Sequence, residues 1–161
     1  MAIPVCRTPK EGELRLYAVA SATVIVKGDM LYWDSSNHVV KPAADFTWDT
    51  DLATTQAAFA VVFVGIANES SASGETDPIS VDISSEAIYE FDCASTTFYP
   101  GGGVGPAKDT GNALLSQKVA SAVAAASVGM ASVEAPYGAA TRVRCRFSSA
   151  HLPLNVNANV G

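Results

Sequence analysis

Apolar and polar residues alternate along several short stretches of this chain. A period of two is the period of a strand, because successive side chains on a strand point to opposite faces. Leu14, Leu16, Ala18 and Ala20 alternate with Arg15, Tyr17, Val19 and Ser21, and residues 79–83, 88–93 and 141–147 follow the same rule. Thr23-Val24-Ile25-Val26 is β-branched throughout, and residues 59–64 read as a further strand. Turn chemistry divides these runs at Lys27-Gly28-Asp29, at Ser35-Ser36-Asn37-His38, across residues 68–78 and across residues 99–106. This pattern predicts an all-β fold: one compact β-barrel-like or sandwich domain over residues 14–150. Residues 1–13, with Pro4, Pro9 and Gly12, read as an extended arm, and 151–161 as an uncharged tail.

At most one or two short helices fit. Residues 43–58 read as a loop entering a helical turn or two, which Asp51 can cap through its side-chain oxygen. Residues 121–127 are ambiguous: alanine favours helix, whereas comparison of the two halves favours a short irregular connection.

The halves share an order of events. A glycine turn precedes a short strand, at Gly28 and again across residues 101–105. A later strand ends in Val64-Gly65-Ile66-Ala67 or in Val128-Gly129-Met130-Ala131, and a loop then leads to an alternating strand. This predicts an internal duplication, with residues 43–58 inserted in the first copy.

Composition narrows the function. The 161 residues are 48% hydrophobic and only 16% charged, against about 25% charged in an average soluble domain. A core is available, and much of the surface is small and neutral, which suits packing against other protein. The formal charge of -6 argues against nucleic acid and against an anionic membrane surface as partners. No run approaches the roughly 20 apolar residues of a membrane span. The N-terminus lacks the charged start and apolar block of a signal peptide, so the expected site of synthesis and assembly is the cytoplasm. Cys6, Cys93 and Cys145 are odd in number and widely spaced, which predicts reduced, buried thiols.

Motifs for chemistry are few. The run Gly101-Gly102-Gly103-Val104-Gly105-Pro106 lacks the Gly-Lys-Ser/Thr of a phosphate loop, and Pro106 has no N–H to donate, so a turn between strands is expected. Asp45, Asp49 and Asp51 do not follow the spacing of a calcium loop. His38 falls in a turn and His151 near the C-terminus, and neither is placed beside a nucleophile. The expectation is a non-enzyme without metal or cofactor. Tyr32, Trp33, Trp48 and Tyr99 offer an alternative, a stacking surface on a carbohydrate-binding barrel.

The strongest grouping is Arg142, Arg144 and Arg146, three of the chain's five arginines at alternate positions of one predicted strand. Their guanidinium groups share a face while Val143, Cys145 and Phe147 point inward. Two readings stand: a solvent face neutralised by carboxylates of the same chain, or a contact with acidic groups on a neighbouring subunit. The arm and the tail, with Pro4, Arg7, Leu152 and Leu154, are further candidates for such a contact.

Taken together, Thr23 to Tyr32, Val39-Val40-Lys41-Pro42-Ala43, the run Val64-Gly65-Ile66-Ala67, and more loosely Val104-Gly105-Pro106-Ala107 and Val128-Gly129-Met130-Ala131 resemble the bacteriophage head-decoration, or capsid cement, proteins. The resemblance implies a compact β-barrel-like domain with an extended arm, often a homotrimer. It also implies that the chain binds the major capsid protein on the outside of the virion and reinforces the shell. The insertion, the tail and the cysteines depart from the shortest members of that family. Another virion β-protein, such as a tail-tube, head-fibre or spike subunit, is the nearest alternative.

Overall fold

The computed structural model describes residues 13–122, 131–135 and 138–152. Strands β1 (Leu14–Tyr17), β2 (Met30–Asp34), β3 (Val39–Pro42), β4 (Phe63–Ala67) and β5 (Ile79–Asp82) form a five-stranded sheet in the order β1-β5-β4-β2-β3. Strands β6 (Ile88–Phe98), β7 (Gly103–Lys108), β8 (Leu114–Ser121), β9 (Ala131–Ala135) and β10 (Gly138–Phe147) close into a barrel in the order β10-β6-β8-β7-β9. The fold is all-β, with one α-helix, α1 (Leu52–Val62), and one 3-10 turn, Ala43–Asp45, among the described residues.

The expected duplication is visible in the topology. Aligning β1 to β5 with β6 to β10 turns the first order, β1-β5-β4-β2-β3, into β6-β10-β9-β7-β8, which is the path of the barrel. Every neighbouring pair along that path is antiparallel in both halves. The halves differ at the seam. In the second, β6 and β8 pair in parallel at Asp92↔Lys118 and Cys93↔Val119 and close the barrel. In the first, the equivalent strands meet in one bond, Val40 N–H to the Ala18 carbonyl at 3.0 Å. The helix lies between β3 and β4, where the insertion was expected.

Two sequence expectations need correction at the helix and its neighbours. Asp51 caps α1 as expected, its Oδ1 accepting from Thr54 N–H at 2.8 Å. The helix then runs through Val62, overriding the strand signal of residues 59–64. The reason is tertiary: helical spacing buries Thr55, Gln56 and Phe59 on one side, and Phe59 meets Tyr32, Phe46 and Phe63 at ring separations of 6.1, 5.3 and 5.9 Å. β propensity yields to such packing. Thr23-Val24-Ile25-Val26, expected as a strand, makes only an isolated bridge, Ile25↔Ser71. Its backbone is drawn into local turns instead, with Thr23 N–H on the Ala20 carbonyl and Val26 N–H on the Asp29 carboxylate.

A third correction concerns the glycine-rich run. The turn is confined to residues 99–102, where Gly102 N–H returns to the Tyr99 carbonyl and Gly101 takes a φ of 81°. Gly105 and Pro106 lie within β7. Among the described residues β7 pairs with β9 at Gly103 and Val104, and Pro106 pairs with Val119 of β8.

The larger core joins the halves. Met30, Tyr32, Phe63 and Ile66 from the sheet and Phe59 from the helix cluster with Phe91, Val119, Val143 and Phe147 of the barrel. Phe147 is the hub, 5.5 Å from Phe63, 5.4 Å from Phe91 and 6.1 Å from Tyr89. A second cluster, including Tyr17, Ile25, Leu31, Val40, Val64 and Val81, fills the other face of the first sheet. Polar contacts also join the halves. Gln56 Nε2 of α1 donates to the Pro106 carbonyl at 3.1 Å, and Gln117 Nε2 of β8 donates to Asp29 Oδ1 at 2.8 Å.

Candidate interaction surface

Strand β10 presents Arg142, Arg144 and Arg146 outward, while Val143, Cys145 and Phe147 are buried. Antiparallel pairing sets Asp92 opposite Arg142 and Glu90 opposite Arg144, the positions at which cross-strand side chains meet. Arg142 Nε lies 3.2 Å from Asp92 Oδ1, Arg144 Nε 3.2 Å from Glu90 Oε2, and Arg146 Nε 2.8 Å from Glu134 Oε1 of β9. Each guanidinium is therefore held at its Nε edge by a carboxylate of the same chain. The side chains remain 59%, 51% and 42% exposed, so each of these ion pairs contributes at most about 1 kcal/mol. The row is ordered and locally compensated.

A second surface lies where residues 149–152 pack against β1. The Glu13 carbonyl accepts from Ile83 N–H, which fixes the start of β1 beside the end of β5. At the other terminus, Ala150 N–H donates to the Phe63 carbonyl at 2.8 Å. His151 then lies against β1: Arg15 Nη1 donates to its carbonyl at 3.2 Å, and its Nδ1 is 3.0 Å from Tyr17 Oη. Leu152, expected at an interface, packs with Trp33 against the core of the first half. Residues 149–152 thus lie against β1. Beside them the outer face of β1 exposes Leu14 (53%) and Leu16 (69%). Pro4, Arg7 and Leu154, the other expected contacts, lie outside the described residues, as do Cys6 and residues 123–127 of the ambiguous alanine-rich stretch.

Sequence reading missed this junction. His151 is more than a hundred residues from Arg15, Tyr17 and Trp33, and no spacing rule links it to them. The aromatic stacking surface does not assemble either. Tyr32 is buried, donating its hydroxyl to the Asp45 carbonyl, and Trp33, on the opposite face of β2, packs with Tyr17 and His151. Trp48 lies under Lys108 Nζ, 5.0 Å from its ring centroid, and Tyr99 is exposed beyond the end of β6.

The remaining candidates have structural roles. Cys93 and Cys145 are free and buried, and burial raises both thiols above their ordinary value. His38 closes the β2–β3 hairpin at a φ of 56°, in a turn organised by Asp34. The Asp34 carboxylate accepts from Ser36 N–H and Asn37 Nδ2 and pairs with Lys41 at 2.7 Å. Those donors hold its pKa well below the usual carboxylate range. No cluster of three or more His, Cys, Asp or Glu side chains able to hold a metal ion occurs among the described residues, and none of the described helices is long and apolar enough to cross a membrane. No protein-family model matches the chain, and no curated protein matches it in sequence.

Proposed function

We propose that this chain is a non-enzymatic virion protein that binds the outside of a bacteriophage capsid and stabilises the shell. Its partner is the major capsid protein, and a homotrimer is the favoured unit. The observation that carries the reading is β1, which exposes Leu14 and Leu16 on one face while His151 packs on the other. Exposed leucines on one strand of a packed β body suit contact with another protein. Repetition over a symmetric shell then multiplies contacts that are individually modest. The arginine row of β10 offers a second, polar contact, since its side chains remain 59%, 51% and 42% exposed.

Co-sedimentation with virus particles tests the proposal, with copy number scaled to the major capsid protein. A fixed ratio of hundreds of copies per particle, lost when heads are disassembled, is the expected outcome. A few copies per particle would assign the chain to a tail or spike instead. Absence from particles would reject the virion reading. Deleting residues 1–13 should weaken capsid occupancy at least about tenfold, equivalent to about 1.4 kcal/mol, while lowering the melting temperature of the free protein less.

A further inference from the structure

After β10 the chain turns back onto the first half. His151 N–H donates to Ser149 Oγ at 3.0 Å and Leu152 N–H to the Ser149 carbonyl at 3.3 Å, which sets a tight turn. This turn delivers the His151 imidazole between two aromatic rings, 5.6 Å from Tyr17 and 5.4 Å from Trp33 by centroid.

We propose that His151 is a proton-operated latch: the neutral imidazole holds residues 149–152 against β1 and β2, and protonation releases them. The inference is independent of the capsid reading. In the Nε2–H tautomer of the neutral ring, Nδ1, 3.0 Å from Tyr17 Oη, accepts the hydroxyl proton. A proton added at Nδ1 removes that acceptor, so the Tyr17 hydroxyl must turn round and accept instead. The same proton places a cation beside Arg15, whose guanidinium donates to the His151 carbonyl.

The surrounding charges do not offset this. From β1, Glu13 is engaged by Arg15 at 3.2 Å, and burial holds the Tyr17 phenol above its ordinary value, so no phenolate is available near neutral pH. From the β2–β3 hairpin, Asp34 is paired with Lys41, and the nearest titratable ring, His38, lies across Trp33 at 6.2 Å. Burial, reinforced by Arg15, holds the His151 pKa below its ordinary 6.5. A histidine whose pKa falls on folding contributes stability in full above the unfolded value and loses it as pH falls through the folded value. The latch is therefore closed at neutral pH and opens in mild acid.

The test uses Trp33 as the reporter, in the full chain carrying Trp48→Phe so that one tryptophan remains. The expected result is a reversible change in Trp33 emission between about pH 8 and about pH 5, with a midpoint below 6.5 and constant far-ultraviolet circular dichroism. The change should persist in His38→Gln and vanish in His151→Gln. A flat profile in the parent, a transition that survives His151→Gln, or one that vanishes with His38→Gln would overturn the proposal. Nuclear magnetic resonance titration of the two imidazoles in the unmodified protein repeats the test without substitutions at the latch. A His151 midpoint at or above 6.5 would likewise overturn it.

Discussion

The two halves follow the same strand path and differ in how that path ends. In the second half, β6 and β8 reach each other and the sheet becomes a barrel with its side chains packed inside. In the first, the equivalent strands touch through one hydrogen bond, and His151 and Leu152 from the far end of the chain pack beside them. A helix also fills the connection between β3 and β4 and seats itself on the barrel through Gln56. Closing a sheet satisfies its edges internally, whereas an open sheet must cover them with something else. Here the open half has recruited residues 150–152 and the insertion.

If the shared core makes the halves one cooperative unit, Phe147→Ala is the substitution that should harm both. Losing a buried ring at this hub should cost about 4 kcal/mol. Both tryptophans, Trp33 and Trp48, belong to the first half. Denaturation followed by tryptophan fluorescence and by circular dichroism should therefore give coincident transitions. Two separated transitions would break the comparison and make the halves independent units.

Gly65→Ala probes the open half alone. A Cβ built at Gly65 falls 2.1 Å from the Asp82 carbonyl oxygen, so β4 and β5 would have to part. The expected loss is about 3 kcal/mol, read as a lower denaturation midpoint. A loss under about 1 kcal/mol would mean that the open sheet yields where a packed barrel could not.

Asp29→Ala tests the polar joint between the halves and should cost about 2 kcal/mol, since Val26 N–H and Gln117 Nε2 both lose their acceptor. The pH dependence sharpens the prediction. Burial raises the Asp29 carboxyl above its ordinary 3.8 despite both donors. A carboxyl whose pKa rises on folding contributes stability in full below the unfolded value and loses it as pH climbs through the folded value. Measured against Asp29→Ala, wild type should lose stability as pH climbs through the folded value, a difference from which the opposite contribution of His151, common to both, cancels.

Much of the architecture was legible because local pattern and burial agree. Residues 79–83, 88–93 and 141–147 alternate cleanly and became β5, β6 and β10. The Asp51 cap was readable from side-chain chemistry alone, as was the shared face of Arg142, Arg144 and Arg146. Phe59 to Val62 misled because a β-branched, aromatic run suits either structure until its surroundings choose. The carboxylates of the arginine row were named in the sequence only as a possibility. Register had to place Asp92, Glu90 and Glu134 beside their guanidiniums.

What the sequence determined by itself was the class of fold, its repeated order and the alternation that separates inside from outside, because those follow from periodicity and turn chemistry within a few residues. What only the tertiary structure decided was which half closes, where the helix ends, which carboxylate meets which arginine and where His151 comes to rest. Each of those depends on contacts between residues a dozen to more than a hundred positions apart. Their positions are set by the packing of Phe63, Phe147 and their neighbours, not by any local preference of the chain.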